Sequence, residues 1–267
     1  MPGLSAAVRS YRRRLVAEFL TAHDYDAVMF TSADWFEWAS NHQVREQSWE
    51  RPFLLVLTAD GRALACYSEH GRHHLEAEAR RGTLWIDEIT YYAEAPHMQQ
   101  HGWIQPQWPD LVASVLKQAG LGQARVALDG PAGWFPQVQQ HLPQVRTETE
   151  RSRLAALRWV KHPDEIATMR AGVAISEWAM DVYRRELRPG RLIAELDFTV
   201  AAHLSLEAAR RIHGENYVIG NLRTLSGAAS ACPHSDGAPT GRNVERDCVA
   251  VTTVAASLNG LAIELAR

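Results

Sequence analysis

The sequence predicts a mixed α/β domain followed by a smaller α+β domain. Up to about residue 145, short apolar runs alternate with segments of helical periodicity, the pattern of helices packed on a sheet. From residue 163 the order changes: two long helical patterns come first and strand-like runs come last. The chain has 267 residues, enough for two modest cores.

The elements follow in order. Leu4, Val8, Tyr11, Leu15 and Phe19 recur at helical spacing, so residues 4–22 read as an amphipathic helix. Arg12, Arg13 and Arg14 read as its solvated face. Residues 26–31 form a short strand, and Trp35, Phe36 and Trp38 a packing cluster. Residues 53–58 and 62–67 flank Asp60-Gly61, which predicts a tight hairpin because Gly accepts the left-handed conformation. A helix over 69–81, a strand over 84–90, a helix over 109–119 stopped by Gly120 and a strand over 125–128 complete the first domain. Its end is placed at 145, and the polar residues 146–157 read as a linker.

The second domain covers 158–267. Asp164 and Glu165 suit the positive end of a helix dipole and open a long helix. Its apolar face is read from Ile166, Met169, Val173, Ile175, Ala179, Val182 and Tyr183, and Arg188-Pro189-Gly190 ends it. Residues 194–211 form a second helix, and the apolar runs 248–254 and 258–265 are β.

Composition narrows the function classes. The formal net charge is −3, with no basic excess to suggest nucleic acid. No apolar run approaches a membrane span. The first residues lack a signal-peptide pattern. Three widely spaced cysteines, Cys66, Cys232 and Cys248, argue against a disulfide framework. A cytoplasmic protein is the expectation.

Three segments carry a resemblance. Arg158-Trp159-Val160-Lys161-His162-Pro163-Asp164-Glu165-Ile166-Ala167-Thr168-Met169-Arg170 opens the second domain; Ser226-Gly227 and Pro233-His234 follow; residues 247–267 close it. In this order they resemble the creatinase/aminopeptidase P/prolidase family, the pita-bread hydrolases of peptidase class M24. The resemblance implies an α/β N-terminal domain, a pita-bread catalytic domain of which this chain holds the first half, and assembly as dimers or larger. It implies C–N bond hydrolysis, in most members with two divalent metals (manganese, zinc or iron) held by Asp, Asp, His, Glu and Glu. Aligned on Asn259-Gly260, the two aspartate positions fall on Thr253 and Glu264, and a family arginine on Arg267. Neutral Thr253 is a poor ligand for a hard dication.

The expected activity is therefore creatinase-like hydrolysis of a small carboxylate-bearing substrate with no metal. The resemblance to creatinase implies that His234 is the general base and acid, a task that suits imidazole because its ordinary pKa lies near neutrality. Glu264 orients water or holds a cationic nitrogen. By the same resemblance Trp49 and Arg51 bind the substrate carboxylate across a subunit boundary, a task that suits the guanidinium fork. Two alternatives stand beside this: a metal-dependent Xaa-Pro peptidase completed by another half, and a non-catalytic interaction subunit. The remaining family ligands lie in a last third that this sequence lacks. The resemblance thus implies a second polypeptide on residues 248–267, a processed precursor, or a degenerate fold, in a homo- or hetero-oligomer. His70, His73 and His74, with Glu69 and Glu76, read as a solvated helix, and Cys232 as a small loop residue.

Overall fold

The structure is a computed structural model that describes residues 3–93, 107–232 and 241–267. It divides into two compact units: residues 4–162, and Pro163–Arg267 with Met1–Gly3.

In the first unit, helix α1 (Ala6–His23) starts at Ser5, whose side chain accepts from the Val8 amide at 3.3 Å. Strands β1 (Ala27–Phe30), β2 (Leu54–Thr58) and β3 (Ala63–Ser68) are antiparallel neighbours. Strands β4 (Glu88–Tyr92), β5 (Arg125–Leu128) and β6 (Arg146–Thr149) add parallel pairings, giving the order β4-β3-β2-β1-β5-β6. Helices α2 (Ala33–Ser40), α3 (Arg72–Arg81), α4 (Trp108–Gln118), α5 (Phe135–His141) and α6 (Arg151–Leu157) complete the unit.

Every residue of β1 is buried. Ala27 and Met29 join one hydrophobic cluster, and Val28 and Phe30 another. A strand covered on both faces must read as a continuous apolar run. The buried Asp129 carboxylate at the end of β5 accepts from the Thr31 and Ser32 amides and hydroxyls, fixing the turn from β1 into α2.

Several expectations change. Arg12 is buried, not solvated: its guanidinium lies 5.1 Å from the Trp38 ring centroid and 5.6 Å from that of Trp85, and donates to the Trp38 carbonyl. Arg13 donates to the Trp85 carbonyl at 2.6 Å, and burial lowers its pKa to about 10. Only Arg14 stays out, paired with Glu18 at 2.7 Å. The expected hairpin through Asp60-Gly61 does form, with Gly61 at φ +89° in a short loop closed by Thr58 N–H to Arg62 O. The expected helix over 69–81 begins as a 3₁₀ turn, Glu69–Gly71. The expected strand over 84–90 starts only at Glu88, because the Trp85 amide donates instead to the Ser40 carbonyl. Residues 146–157 are no linker. They form β6 and α6, with Leu154 fully buried in a core cluster, and the division falls between His162 and Pro163.

In the second unit, helices α7 (Pro163–Glu186) and α8 (Ile193–Arg211) pack on a sheet of β7 (Tyr217–Ser226), β8 (Ala250–Leu258) and β9 (Leu261–Ala266), in the order β7-β8-β9. Ile175, Ala179, Val182 and Tyr183 of α7 meet Leu196, Val200 and Leu204 of α8 and Val254 of β8. Ile166 is exposed and Met169 half-buried; the buried row runs instead through Glu165, Gly172 and Ile175. Gly172 sits there because a Cβ would lie 2.0 Å from Ile263 Cδ1. The Asp197 carboxylate accepts from the Tyr183 hydroxyl at 2.8 Å and the Thr224 hydroxyl at 2.6 Å, joining both helices to the sheet. The expected break between residues 254 and 258 is absent: β8 runs unbroken to Leu258 and turns at Asn259-Gly260, both at positive φ.

Candidate active site

The sheet of the second unit has two unlike faces, because side chains alternate along each strand. Leu222, Thr224, Thr252, Val254 and Ile263 face the helices: Val254 lies in the core and half-buried Leu222 packs against it, Thr224 bonds Asp197, Thr252 reaches Met180 Sδ, and Ile263 meets α7. The opposite face carries Asn221 and Arg223 from β7, Thr253 and Ala255 from β8, and Glu264 from β9. Arg223 pairs with Thr253, and Asn221 and Glu264 pair with Ala255 from either side.

Thr253 and Glu264 thus share one face, as the sequence alignment requires. Thr253 pairs with Ala266, so Glu264 lies two residues along β9, a diagonal neighbour at about 7–8 Å. The type I′ geometry of the hairpin sets this register. Asn259 has φ 50° and Gly260 φ 74°, and Leu258 pairs with Leu261.

These residues do not suit a pair of dications. Thr253 is neutral, and the strand position beside it holds the cationic Arg223. Glu264 is one carboxylate where two close cations need several to offset their repulsion. Among the described residues, no group of three or more His, Cys, Asp or Glu side chains is placed to hold a metal ion. The face instead offers a guanidinium, a hydroxyl, an amide and a carboxylate, a set suited to a small molecule with both acidic and polar ends.

His234 lies outside the described residues. Its approach is described: after β7 the chain makes a 3₁₀ turn, Gly227–Ala231, and the Gly227 amide donates to the Val249 carbonyl at 3.0 Å. Ser226 Oγ accepts from the Glu245 amide at 2.9 Å and lies 3.3 Å from Cys248 Sγ. Gly227, at φ +64°, leaves room for the Glu245 carboxylate, which a Cβ would meet at 2.1 Å.

Arg267 is not on the site face. It pairs with Thr252 through backbone bonds of 2.8 and 3.0 Å, and an odd step of three from Glu264 puts it on the opposite side. Its guanidinium donates to the Ala266 carbonyl at 2.9 Å.

Trp49 and Arg51 belong to the first unit. Trp49 is 67% exposed, so it is not a core residue. Arg51 Nη1 lies 2.9 Å from Glu50 Oε1, a carboxylate from its own chain. The segment that carries them is held at its root. His42 Nδ1 lies 2.6 Å from Glu78 Oε2, the Tyr67 hydroxyl donates to Glu46, and the Val44 amide donates to Glu37 at 2.9 Å. Burial and the Glu46 charge push the Tyr67 phenol above its ordinary value. His73 is 94% exposed at the side chain, which leaves that helix solvated. Cys66 is buried, which pushes its thiol up to about 12 and leaves it unreactive.

Sequence reasoning missed Arg223 and Asn221. The stretch that became β7 shows no clean alternation because Gly220 marks a bulge between Ile219 and Asn221. Only the pairing with β8 reveals which side chains share the site face.

No protein-family model matches the sequence, and no curated protein is significantly similar to it. Solved structures match well. A prolidase from Thermococcus sibiricus superposes with a TM-score of 0.73 at 16% identity, over 98% of this chain and 64% of that one. An X-Pro aminopeptidase from Thermotoga maritima gives 0.72 at 14% identity, over 96% and 64%. A prolidase from Pyrococcus furiosus gives 0.66 at 14%, over 95% and 69%. The fold is that of the pita-bread peptidases. The chain spans about two thirds of the length of the structures it matches.

Proposed function

We propose that the face of β7, β8 and β9 that carries Arg223, Thr253 and Glu264 binds a small, carboxylate-bearing, peptide-like molecule and that the protein hydrolyses its C–N bond without a metal pair on Thr253 and Glu264. The observation that carries this reading is the Arg223–Thr253 pair, a cation and a neutral hydroxyl, on the same face as Glu264. Glu264 orients water or holds a cationic nitrogen, and Arg223, or Arg51 of the partner subunit, takes the carboxylate. His234 accepts the proton of the attacking water and returns it to the leaving nitrogen. The C–N bond breaks, and an acid and an amine are released. On its outer side β9 has no strand partner among the described residues, and a second polypeptide pairing there fits the expected oligomer.

The matched structures are titled prolidases and an X-Pro aminopeptidase, which favours a second reading: cleavage next to proline, with metal held by residues other than Thr253. One experiment separates the readings. The native protein is assayed against Xaa-Pro dipeptides, N-acyl amino acids and amidino-amino acids, with chelator and with added manganese, zinc or iron. The first reading expects turnover that survives chelation and falls on the order of a hundredfold or more in His234→Ala. Turnover that appears only with stoichiometric bound metal establishes the second. Turnover of nothing, with unchanged partner binding in His234→Ala, marks a non-catalytic subunit.

A further inference from the structure

The segment between α2 and β2, residues 41–53, carries Trp49 and Arg51 and has no helix or strand of its own. A row of ionisable groups pins its near end, and the row runs through a buried histidine. His42 is 5% exposed. Its Nδ1 lies 2.6 Å from Glu78 Oε2 on α3, and its Nε2 lies 3.4 Å from the Tyr67 hydroxyl on β3. That hydroxyl donates to Glu46 Oε2, back on the segment. Gly71 leaves room for this contact: a Cβ there would lie 2.5 Å from Tyr67 Cε1 and 3.3 Å from Glu46 Oε1. The row Glu78–His42–Tyr67–Glu46 thus ties the segment to α3 and β3.

The protons decide what this row can do. A neutral imidazole has one donor nitrogen and one acceptor, whereas an imidazolium has two donors. Tyr67 has a single proton to give, and it goes to Glu46. Burial, and then Glu46 itself, hold that proton on the phenol. The Tyr67 oxygen therefore meets His42 Nε2 with a lone pair, as the Glu78 carboxylate meets Nδ1. Both ring nitrogens face acceptors, an arrangement that only the imidazolium satisfies. The charges around the ring agree. Helix α2 brings Glu37, which accepts from the Val44 amide, and β4 brings the Tyr92 phenol, which donates to the Pro52 carbonyl at 2.8 Å. The cations on these elements are engaged elsewhere: Arg158, whose charge reaches Glu37, pairs with Asp34 at 2.8 Å, and Arg72 lies over the Tyr91 ring. A charge this buried is stable only with such partners.

We propose that His42 is a positioning residue held as the imidazolium, and that loss of its proton releases the arm bearing Trp49 and Arg51. Once Nε2 is bare, the Tyr67 hydroxyl turns its proton from Glu46 to His42, and Glu46 loses its hold on the segment. The arm is ordered at lower pH and loosened at higher pH. Linkage gives this sign: the folded state binds the proton more tightly, so the support is complete below the ordinary imidazole value of about 6.5 and is lost as pH rises through the folded value. The effect on turnover rests on the proposed role of Arg51 as a carboxylate clamp; the state of His42 does not.

Nitrogen NMR of the full wild-type chain, labelled at its histidine rings, is the test, with the His42 signals assigned by their loss in His42→Gln. At about pH 7, where an ordinary imidazole is mostly neutral, both His42 nitrogens should carry protons. As pH rises and one proton leaves, exchange protection of the Arg51 amide, which donates to the Gln47 carbonyl at 2.8 Å, should fall on the order of tenfold while β2 amides stay protected. Glu46→Gln should move the step down by about one pH unit, because the anion behind Tyr67 is gone. Glu37→Gln should leave the Arg51 step in place, which separates it from titration of Glu37. A His42 that is neutral at pH 7, with one bare nitrogen, overturns the inference. So does a step in His42 that leaves Arg51 protection unchanged, or a His42 that keeps its proton until the whole chain unfolds. If Arg51 clamps substrate, KM rises across the same step and kcat does not follow it. The expected NMR and exchange results without that rise remove the clamp role from Arg51 and leave the role of His42 standing.

Discussion

Single residues set the tightest constraints. Gly172 lets α7 approach β9, and a Cβ there would lie 2.0 Å from Ile263 Cδ1 and 3.5 Å from Leu258 Cβ. Gly172→Val adds two further methyl groups at this contact. It should cost about 2–3 kcal/mol, read as a lower urea midpoint with an unchanged slope. Glu37 shows how burial enters pH dependence. Burial is the main cause that raises its pKa above the ordinary 4.5, against the lowering effect of the Val44 amide. A carboxyl whose pKa is raised on folding binds its proton more tightly in the native state. It therefore supports the fold below the unfolded pKa, and that support is lost as pH rises through the folded pKa. Glu37→Gln keeps an acceptor for the Val44 amide and removes the ionisation. Urea midpoints at successive pH values should fall less for Glu37→Gln than for wild type as pH rises above about 4.5. Equal slopes of stability against pH would contradict this.

At the scale of elements, the β8–β9 hairpin places the candidate site. Asn259 holds a left-handed conformation, its Oδ1 accepts from the Asn216 amide at 3.1 Å and its Nδ2 donates to Glu215 at 2.7 Å. Glu215 also accepts from the Gly3 amide at 2.8 Å. Asn259→Ala loses both side-chain bonds and strains the turn, for an expected cost of about 2–3 kcal/mol. Thermal denaturation measures it, and a melting point within a degree of wild type would refute the role given to this turn. Register decides which residues the proposed site presents. A one-residue slip would move Glu264 to the helix side and bring Ile263 onto the site face. Asn259-Gly260 suits a type I′ turn, yet the sequence reading placed the break at 255–257, because the small residues there look like a loop until β8 pairs through them. Arg223 was not legible in the sequence, since its position depends on a strand interrupted by the bulge beside Gly220.

At the scale of the whole molecule, each unit has its own hydrophobic clusters. A fragment of residues 4–162 should therefore fold alone with one cooperative denaturant transition. A fragment ending at 145 lacks β6 and the buried Leu154, and should be less stable by several kcal/mol or fail to fold. Comparable stability of the two fragments would restore 146–157 as a linker. In the native protein, replacing Thr253 by Asp tests the charge pattern of the site. Facing Arg223, the new carboxylate should pair with the guanidinium, and the substrate KM should rise if Arg223 holds a carboxylate.

The sequence alone determined the class of each unit and most helices, while the family resemblance set Thr253 and Glu264 at corresponding positions and the β8–β9 turn was misplaced to 255–257. The classes and the helices follow from local rules, chiefly apolar periodicity. Only the tertiary structure decided which polar residues are buried and which strands adjoin. Arg12 and Arg13 read as solvent-facing until Trp38 and Trp85, distant in sequence, gave them ring faces and carbonyls. Residues 146–149 read as linker until β5 supplied a parallel partner. Phe198 read as one more apolar helix residue until the sheet claimed the other side of α8. In each case the deciding interaction joins residues far apart in the chain, so no local pattern encodes it.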